Sequence, residues 1–144
     1  MAIKPIVTDP DILQQKSEPF DLIKDGYALL QDMLDTANSH TTCVGLAAVQ
    51  IGVLKNVILV KKDGKFMTMI NPKILVGFNG FQYGTEGCLS VEGVKTIKRH
   101  RSIRVKYTDM KGRDRTDTFH GFAARIIQHE VDHLHGVTVD TKEA

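Results

Sequence analysis

The segment from Gln128 to Leu134, with the sequence QHEVDHL, places two histidines four residues apart. On a helix this spacing puts His129 and His133 on one face, where both imidazoles can hold the same metal ion. Glu130 lies between them, and its carboxylate can reach a water molecule beside that ion and take its proton. The pattern therefore requires a helix here and favours a metal-dependent hydrolase.

The residues around this motif support a helix of suitable length. Gly121 stands where the helix could begin, and Gly136 suits a C-terminal stop. Apolar residues that could face a core recur through the segment: Phe122, Ile126, Ile127, Val131 and Leu134. Histidines also occur as hydrogen-bonded core residues, so the motif alone leaves a metal site and ordinary packing both open.

A catalytic metal site needs a third protein ligand and an open position. Eleven residues follow His133, and although they include His135 and Glu143, they do not form the extended downstream motifs of zinc proteases. Cys88 is the upstream candidate, since a thiolate with two imidazoles suits zinc, ferrous iron, cobalt or nickel better than calcium or magnesium. A buried structural thiol is the alternative. A disulfide with Cys43 is less favoured, because two cysteines without a signal peptide indicate a reducing compartment.

Three separated segments together resemble the peptide deformylases: Gly45–Gln50, Glu86–Ser90 and Gln128–Gly136, in that order along the chain. The similarity extends to Ile6–Leu13 near the N-terminus and to Gly121–Arg125 before the histidine motif, so it covers most of the sequence. It implies an α+β fold in which antiparallel β-sheets wrap around a central metal-binding helix.

The same resemblance implies removal of the formyl group from the N-terminal formylmethionine of newly made proteins. It implies three ligands for one divalent metal ion, namely Cys88, His129 and His133. Ferrous iron is the expected metal, and zinc, nickel or cobalt remain open. Glu130 would act as general base toward the attacking water and then as general acid toward the departing amine. Gln50 and the backbone N–H of Leu89 would stabilise the oxyanion.

A substrate pocket is predicted from apolar residues close to this motif. Ile126 and Phe122 lie one and two turns before His129, and Val44 could close a pocket for the methionine side chain. Core packing would require the same residue types and stays an alternative. Gly45 would let the backbone approach the substrate, although a tight packing turn explains it equally well. Glu86 completes the predicted substrate site.

Behind the ligands, Arg99 could pair with Glu86 or Asp132 and so order the surroundings of the metal. Two positions depart from the deformylase pattern, because Cys43 and Glu92 stand where glycine and proline are usual. A cysteine would cost about 1–2 kcal/mol at position 43 if a positive φ were needed there. These departures leave a second hypothesis, a deformylase-like paralogue that binds metal or peptide with weak or no turnover. A zinc endopeptidase is the third.

Composition limits the remaining classes of function. The chain has 144 residues, of which 42% are hydrophobic and 25% charged, as expected for one domain over residues 1–144. A formal net charge of +2 is too small to indicate a nucleic-acid partner. No apolar run reaches the roughly 18 residues of a membrane span, and the N-terminus lacks a signal-peptide core. We therefore expect a cytoplasmic protein without a membrane partner.

The expected partners are N-formylated nascent polypeptides, and ribosome association stays open. The tail from Thr138 to Ala144 is too short to supply the long C-terminal helix that some deformylases append. A basic stretch between positions 95 and 106 is interpreted as a solvated strand face. Its members are Lys95, Lys98, Arg99, Arg101, Arg104 and Lys106.

Local patterns predict the other elements. Apolar residues spaced by three and four predict one amphipathic helix from Asp21, as N-cap, to Ala37. Short apolar runs predict strands at 57–60, 66–70 and 74–76, separated by turns. Alternating residues at 103–107 and 116–120, with a turn at Lys111-Gly112, predict an antiparallel hairpin.

Overall fold

The computed structural model describes residues 2–140 and 142 of the chain. The described residues form one five-stranded antiparallel sheet in which each strand neighbours the next along the chain. The strands are β1 (Gly45–Ala47), β2 (Val57–Lys62), β3 (Lys65–Cys88), β4 (Val91–Thr108) and β5 (Asp114–His120). The helices are α1 (Pro10–Leu13), α2 (Leu22–Asp25), α3 (Ala28–Ser39) and α4 (Gly121–Leu134), with a 3-10 turn over Ala48–Ile51.

The histidine motif lies on α4, as predicted. One side of α4 packs on the sheet, so that Ile126, Ile127 and Val131 enter the same core as Ile103 and Val105 of β4. Full burial of such side chains contributes about 1.5–3 kcal/mol each to folding. The α+β fold, with an antiparallel sheet around the metal-motif helix, is confirmed. Within residues 2–140 and 142, no helix is long and apolar enough to cross a membrane.

The predicted helix from Asp21 to Ala37 is wrong in one respect, because it is divided in two. Asp21 does cap α2, since its carboxylate accepts hydrogen bonds from the backbone N–H groups of Ile23 and Lys24. Gly26 then adopts a φ of +73° and ends α2, and α3 begins two residues later. Ile23, an apolar residue within the predicted helix, is 97% exposed.

Strands β3 and β4 are longer than the strands predicted at 66–70, 74–76 and 103–107. The expected break at Asn71-Pro72 is a bulge, where Asn71 has a φ of +51° and the register shifts between Ile70 and Lys73. At the far end Cys88 pairs with Val91, so only two residues connect the strands. Cys88 is therefore held at the end of a strand, close to α4.

Candidate active site

The side chains of Cys88, His129 and His133 converge between the end of β3 and α4. Their ligand atoms all lie within 4.8 Å of one another, and the Sγ of Cys88 is 3.5 Å from the Nε2 of His133. The two imidazole rings meet edge to face with centroids 5.1 Å apart, as expected for residues four apart on one helical face. The structure thus brings together the three residues predicted as ligands.

The donor set fits a divalent metal ion. In tetrahedral coordination, metal–sulfur bonds of about 2.3 Å and metal–nitrogen bonds of about 2.0–2.1 Å separate sulfur and nitrogen by about 3.6 Å. The separation of 3.5 Å between Cys88 and His133 agrees with that value. In addition, the Oε1 atom of Glu130 is buried without a hydrogen-bond partner among the described residues. A water molecule at the centre would satisfy this oxygen.

The electrostatics of the cluster also favour a cation. Burial alone would lower the pKa of His129, but hydrogen bonds to Cys88 and Glu86 raise it to about 10. Burial lowers the pKa of His133 to about 3. The partners that stabilise a proton on His129 would also stabilise a metal ion. That ion can bind only after the proton has left the imidazole.

Glu86 lies behind His129 and fixes its orientation. The Oε1 atom accepts hydrogen bonds from His129 Nδ1 at 2.9 Å and from Arg99 at 2.7 Å. The Oε2 atom accepts from Arg99 at 3.0 Å and from Arg125. Burial by itself would raise the pKa of Glu86, but hydrogen bonds from His129 and Arg99 lower it to about 2. Although Glu86 was predicted as a substrate residue, and it does line the cavity, its carboxylate is occupied by these three partners.

Arg99 joins this network to the helix, because it also binds the carboxylate of Asp132. The prediction named Glu86 or Asp132 as its partner, and the structure pairs it with both. Arg125 was missed by the sequence reasoning. It is buried and donates to the carbonyl oxygen of Gln82 at 3.1 Å as well as to Glu86. Its position four residues before His129 could have indicated that it shares the ligand face.

Gln50 is held rigidly next to the cysteine. Its Oε1 accepts a hydrogen bond from the N–H of Ala47 at 3.0 Å, and its Nε2 donates to Ser90 Oγ at 3.2 Å. The same Nε2 lies 3.5 Å from the sulfur of Cys88, which also accepts from the N–H of Ser90 at 3.3 Å. Ser90 belongs to the Glu86–Ser90 segment, but its contact with Gln50 was not predicted. Leu89, between Cys88 and Ser90, lines the same cavity as Gln50.

Glu130 follows the metal-ligand candidate His129 on α4 and is buried, with 4% of the residue surface exposed. Burial raises its pKa to about 7, although the positive charges of His129 and Arg99 act in the opposite direction. Such a carboxyl group can both accept and donate a proton near neutral pH. Gly45 approaches it closely, since a Cβ at position 45 would lie 2.6 Å from Glu130 Oε2 and 2.8 Å from a methyl group of Ile126.

The side chains of Gln50, Cys88, His129 and Glu130 line a cavity of about 320 Å³. Its apolar wall contains three of the predicted substrate residues, Val44, Phe122 and Ile126, together with Leu89. Ile126 is buried, whereas Val44 and Phe122 are exposed at the mouth, with 64% of Phe122 accessible. The cavity is thus apolar on one side and bordered by Cys88, His129 and Glu130 on the other.

Neither departure from the family pattern distorts the site. Cys43 is buried beside the cavity, and its thiol donates to the carbonyl oxygen of Gly45 at 3.2 Å. Burial raises the pKa of this thiol to about 11. Its φ is not positive, so the backbone cost considered above does not arise. Cys43 and Cys88 are both free thiols. Glu92 is exposed on the hairpin of β3 and β4.

A cysteine and two histidines beside a buried carboxylate, within this α+β fold, define the class of metal-dependent hydrolases with one metal centre. The sequence model described as "Polypeptide deformylase" matches residues 3–142. The chain belongs to the polypeptide deformylase family.

Individual relatives agree with this assignment. A peptide deformylase of Clostridium beijerinckii is 39% identical over 138 residues, which cover 95% of this chain and 99% of that protein. The actinonin-bound crystal structure of a class I type b peptide deformylase from Acinetobacter baumannii has a TM-score of 0.91 and 33% identity, with both chains covered completely. The Met-Ala-Ser-bound structure of that enzyme also has a TM-score of 0.91, with 32% identity and coverage of 99% of this chain and 100% of the other.

Proposed function

We propose that this protein is a metal-dependent peptide deformylase, which hydrolyses the formyl amide of N-terminal formylmethionine in newly made polypeptides and releases formate. The observation that carries this proposal is the placement of Glu130, Cys88 and His129 on the wall of one small cavity, with the ligand atom of His133 within 4.8 Å of those of Cys88 and His129. Family membership supports the reaction. In this proposal residues 1–144 act as one catalytic domain.

Cys88, His129 and His133 would hold the metal, as a thiolate and two neutral imidazoles. A divalent ion in this position supplies Lewis-acid chemistry, lowering the pKa of a water molecule from about 15.7 toward about 7 and polarising the formyl oxygen. Ferrous iron is our proposed native metal, and the same donors accommodate zinc, nickel or cobalt. Glu86 keeps the proton of His129 on Nδ1, so that Nε2 is free to serve as the ligand atom.

Glu130 would move the proton. Its carboxylate takes one proton from the attacking water and later delivers it to the departing amine of the methionine. Burial supports this exchange, because it brings the pKa of Glu130 to about 7, close to working pH. The absence of a hydrogen-bond partner on Oε1, among the described residues, leaves this oxygen available to the water.

Gln50 and the backbone N–H of Leu89 would stabilise the negative charge that develops on the formyl oxygen. Ala47 and Ser90 hold the Gln50 carboxamide with its N–H₂ group toward Cys88, so the donor is already oriented before substrate binds. Loss of one such preorganised donor typically raises the barrier by about 2.7–4 kcal/mol.

Substrate choice would follow from the shape of the cavity. A formyl group is the smallest acyl group and fits between Glu130 and the metal donors. The apolar side chains of Val44, Phe122 and Ile126 would contact the flexible methionine side chain. The partners are therefore N-formylated nascent polypeptides, and we expect the protein to act in the cytoplasm, where they are made.

The first experiment is anaerobic hydrolysis of formyl-Met-Ala-Ser by protein loaded with iron or nickel. Formate release and metal content are measured for the parent protein and for Glu130→Ala. We expect both proteins to retain metal and only the parent to release formate. A fully metallated parent without formate release would support the binding paralogue instead. Internal cleavage of unformylated peptides would support the endopeptidase hypothesis.

A further inference from the structure

The hairpin of β3 and β4 has a second, outward face. Ile97, Ile103 and Val105 of β4 are buried beneath α4 and its surroundings, and Arg99 turns inward to Glu86. Since side chains alternate along a strand, the even-numbered residues of β4 point the other way. Among them, Lys98, Arg104 and Lys106 are exposed and His100 is half-buried, whereas Ser102 is buried and hydrogen-bonded to Asn79 and His120.

Aromatic rings from the neighbouring strand β3 cover part of this face. The Nζ of Lys98 lies 4.3 Å from the ring centroid of Phe81, and the Phe81 ring lies against His100 with centroids 4.9 Å apart. Tyr83 stands opposite Lys98 in the register and is 68% exposed. Flat aromatic surfaces next to a cation therefore remain accessible.

The charge on this hairpin is strongly one-sided. Residues 73–106 contain seven lysines and arginines but only two glutamates, a net charge of +5, so the rest of a chain with +2 overall carries −3. Among the described residues, Lys98, Arg104 and Lys106 form no ion pair within 4 Å. Lys106 also stands directly opposite Lys73, and like charges in such positions destabilise a sheet. The small total charge conceals this distribution.

We propose that this outward face, defined by Tyr83, Phe81, Lys98, Arg104 and Lys106, binds single-stranded RNA. Exposed aromatic rings can stack on bases, which contributes about 1–3 kcal/mol per base whatever the sequence, and neighbouring cations neutralise phosphates. An acidic peptide would neutralise the same cations but leave the two rings without a matching surface. RNA is chosen over DNA because of the proposed role in processing nascent chains, which are made where RNA is abundant.

The proposed RNA surface is separate from the active site. Lys98 points outward, whereas the adjacent Arg99 points inward to Glu86 and Asp132. None of the five defining residues lines the catalytic cavity. Substitutions of these five side chains therefore leave the cavity wall unchanged and should not alter deformylation. Failure of RNA binding would not affect the proposed enzymatic function.

The test is fluorescence anisotropy with a labelled single-stranded RNA of about 12 nucleotides, a length within the usual range of such sites. The variants are Tyr83→Ala and Lys98→Gln. Matched controls are Tyr27→Ala and Lys24→Gln, which change an exposed tyrosine and an exposed lysine on or beside α2. The full chain is used throughout, and circular dichroism confirms its fold.

We expect Tyr83→Ala to weaken binding by about 5- to 150-fold, which corresponds to one lost stacking contact. Lys98→Gln should reduce the slope of log affinity against log salt by about 0.7, the value for one phosphate contact on a single strand. Both controls should bind like the parent, and all variants should hydrolyse a formyl-methionyl peptide equally.

Three results would overturn the proposal. One is the lack of saturable RNA binding at about 50 mM salt, where electrostatic binding is strong. Another is equal weakening by Tyr83→Ala and Tyr27→Ala, which would remove any role of this face. The third is displacement of RNA by an equimolar polyglutamate peptide of the same length, which would indicate an acidic protein partner.

Discussion

The Nδ1 atom of His129 donates a hydrogen bond of 2.9 Å to Oε1 of Glu86, a residue 43 positions earlier in the chain. Because the pKa of Glu86 is lowered to about 2, the carboxylate can only accept, and the proton must stay on Nδ1. Nε2 of His129 is then available to the metal. One hydrogen bond thus connects the long hairpin to the ligand geometry on α4.

Glu86→Gln should therefore weaken metal binding. An amide can still accept from His129, but it cannot balance the charges of Arg99 and Arg125. Loss of a partner of this kind typically reduces metal affinity by about 10- to 100-fold. Competition with a chelator, followed by metal analysis, measures the effect. Glu92→Gln is the matched control, because Glu92 is exposed on the same hairpin, and equal affinities for the two variants would contradict the role assigned to Glu86.

Arg99→Leu should destabilise the protein. The substitution leaves two carboxylates, Glu86 and Asp132, without the guanidinium they share. Removing one member of a buried ion pair costs about 3–5 kcal/mol, whereas an exposed pair contributes about 0–1 kcal/mol. Urea unfolding of metal-free protein should show this loss for Arg99→Leu. Arg113→Leu, which breaks the exposed pair with Asp109, should change the free energy of unfolding little.

The ligand residues could be predicted because their constraints are local or chemical. The spacing of His129 and His133 follows from the helical period, and the thiolate of Cys88 completes a donor set that suits zinc or ferrous iron. The partners of these residues were harder to predict. Arg125 reaches Glu86 across 39 positions, and Ser90 contacts Gln50 across 40, so both interactions depend on how the strands assemble.

The wrong predictions about secondary structure have the same origin. Asn71-Pro72 is typical of a turn, yet β3 continues through it as a bulge. The Asn71 side chain accepts from the N–H of Phe20 and donates to its carbonyl oxygen, each at 2.8 Å, and this pairing across 51 residues holds the bulge. At Gly26 the apolar spacing continues across the helix break, so the spacing alone does not reveal where α2 ends.

Tyr107→Phe should make the protein less sensitive to alkali. Burial, together with the hydrogen bond to Asp117, raises the pKa of Tyr107 above its usual value of 10.0. The neutral phenol is thus favoured in the folded state, so its contribution to stability is complete below pH 10 and decreases as the pH rises further. Above that point the free energy of unfolding should fall by about 1.4 kcal/mol per pH unit from this group alone.

Unfolding of Tyr107→Phe and the parent protein in urea at several pH values between 9 and about 11.5 tests the expected slope. The parent should lose stability more steeply than the variant over the upper part of the range. Tyr27→Phe serves as control, since Tyr27 is exposed. Parallel curves for Tyr107→Phe and the parent would show that the phenol titrates alike in the folded and unfolded chains.

Gly45→Ala should reduce turnover more than metal binding. The added methyl group would lie 2.6 Å from Glu130 Oε2 and 2.8 Å from Ile126, so the carboxylate must move. A displacement of about 1 Å in a reacting group can lower the rate by about 100-fold. We expect normal metal content and a lower kcat. Unchanged kcat in Gly45→Ala would contradict the close contact with Glu130.

Cys43→Gly restores the residue that is usual in the family. It tests whether this protein is an active enzyme or a paralogue with impaired turnover. The Cys43 backbone has no positive φ, and its thiol makes one hydrogen bond to the carbonyl oxygen of Gly45. Since the cysteine causes no strain and burial raises its pKa to about 11, it remains a neutral wall residue at pH 7.

We therefore expect kcat/KM for a formyl-methionyl peptide to change by less than about threefold, while the loss of a buried side chain lowers the free energy of unfolding by about 1 kcal/mol or more. Cys43→Ala should behave in the same way. A large gain in kcat/KM for Cys43→Gly would instead mean that the cysteine obstructs catalysis, and the paralogue hypothesis would then be preferred.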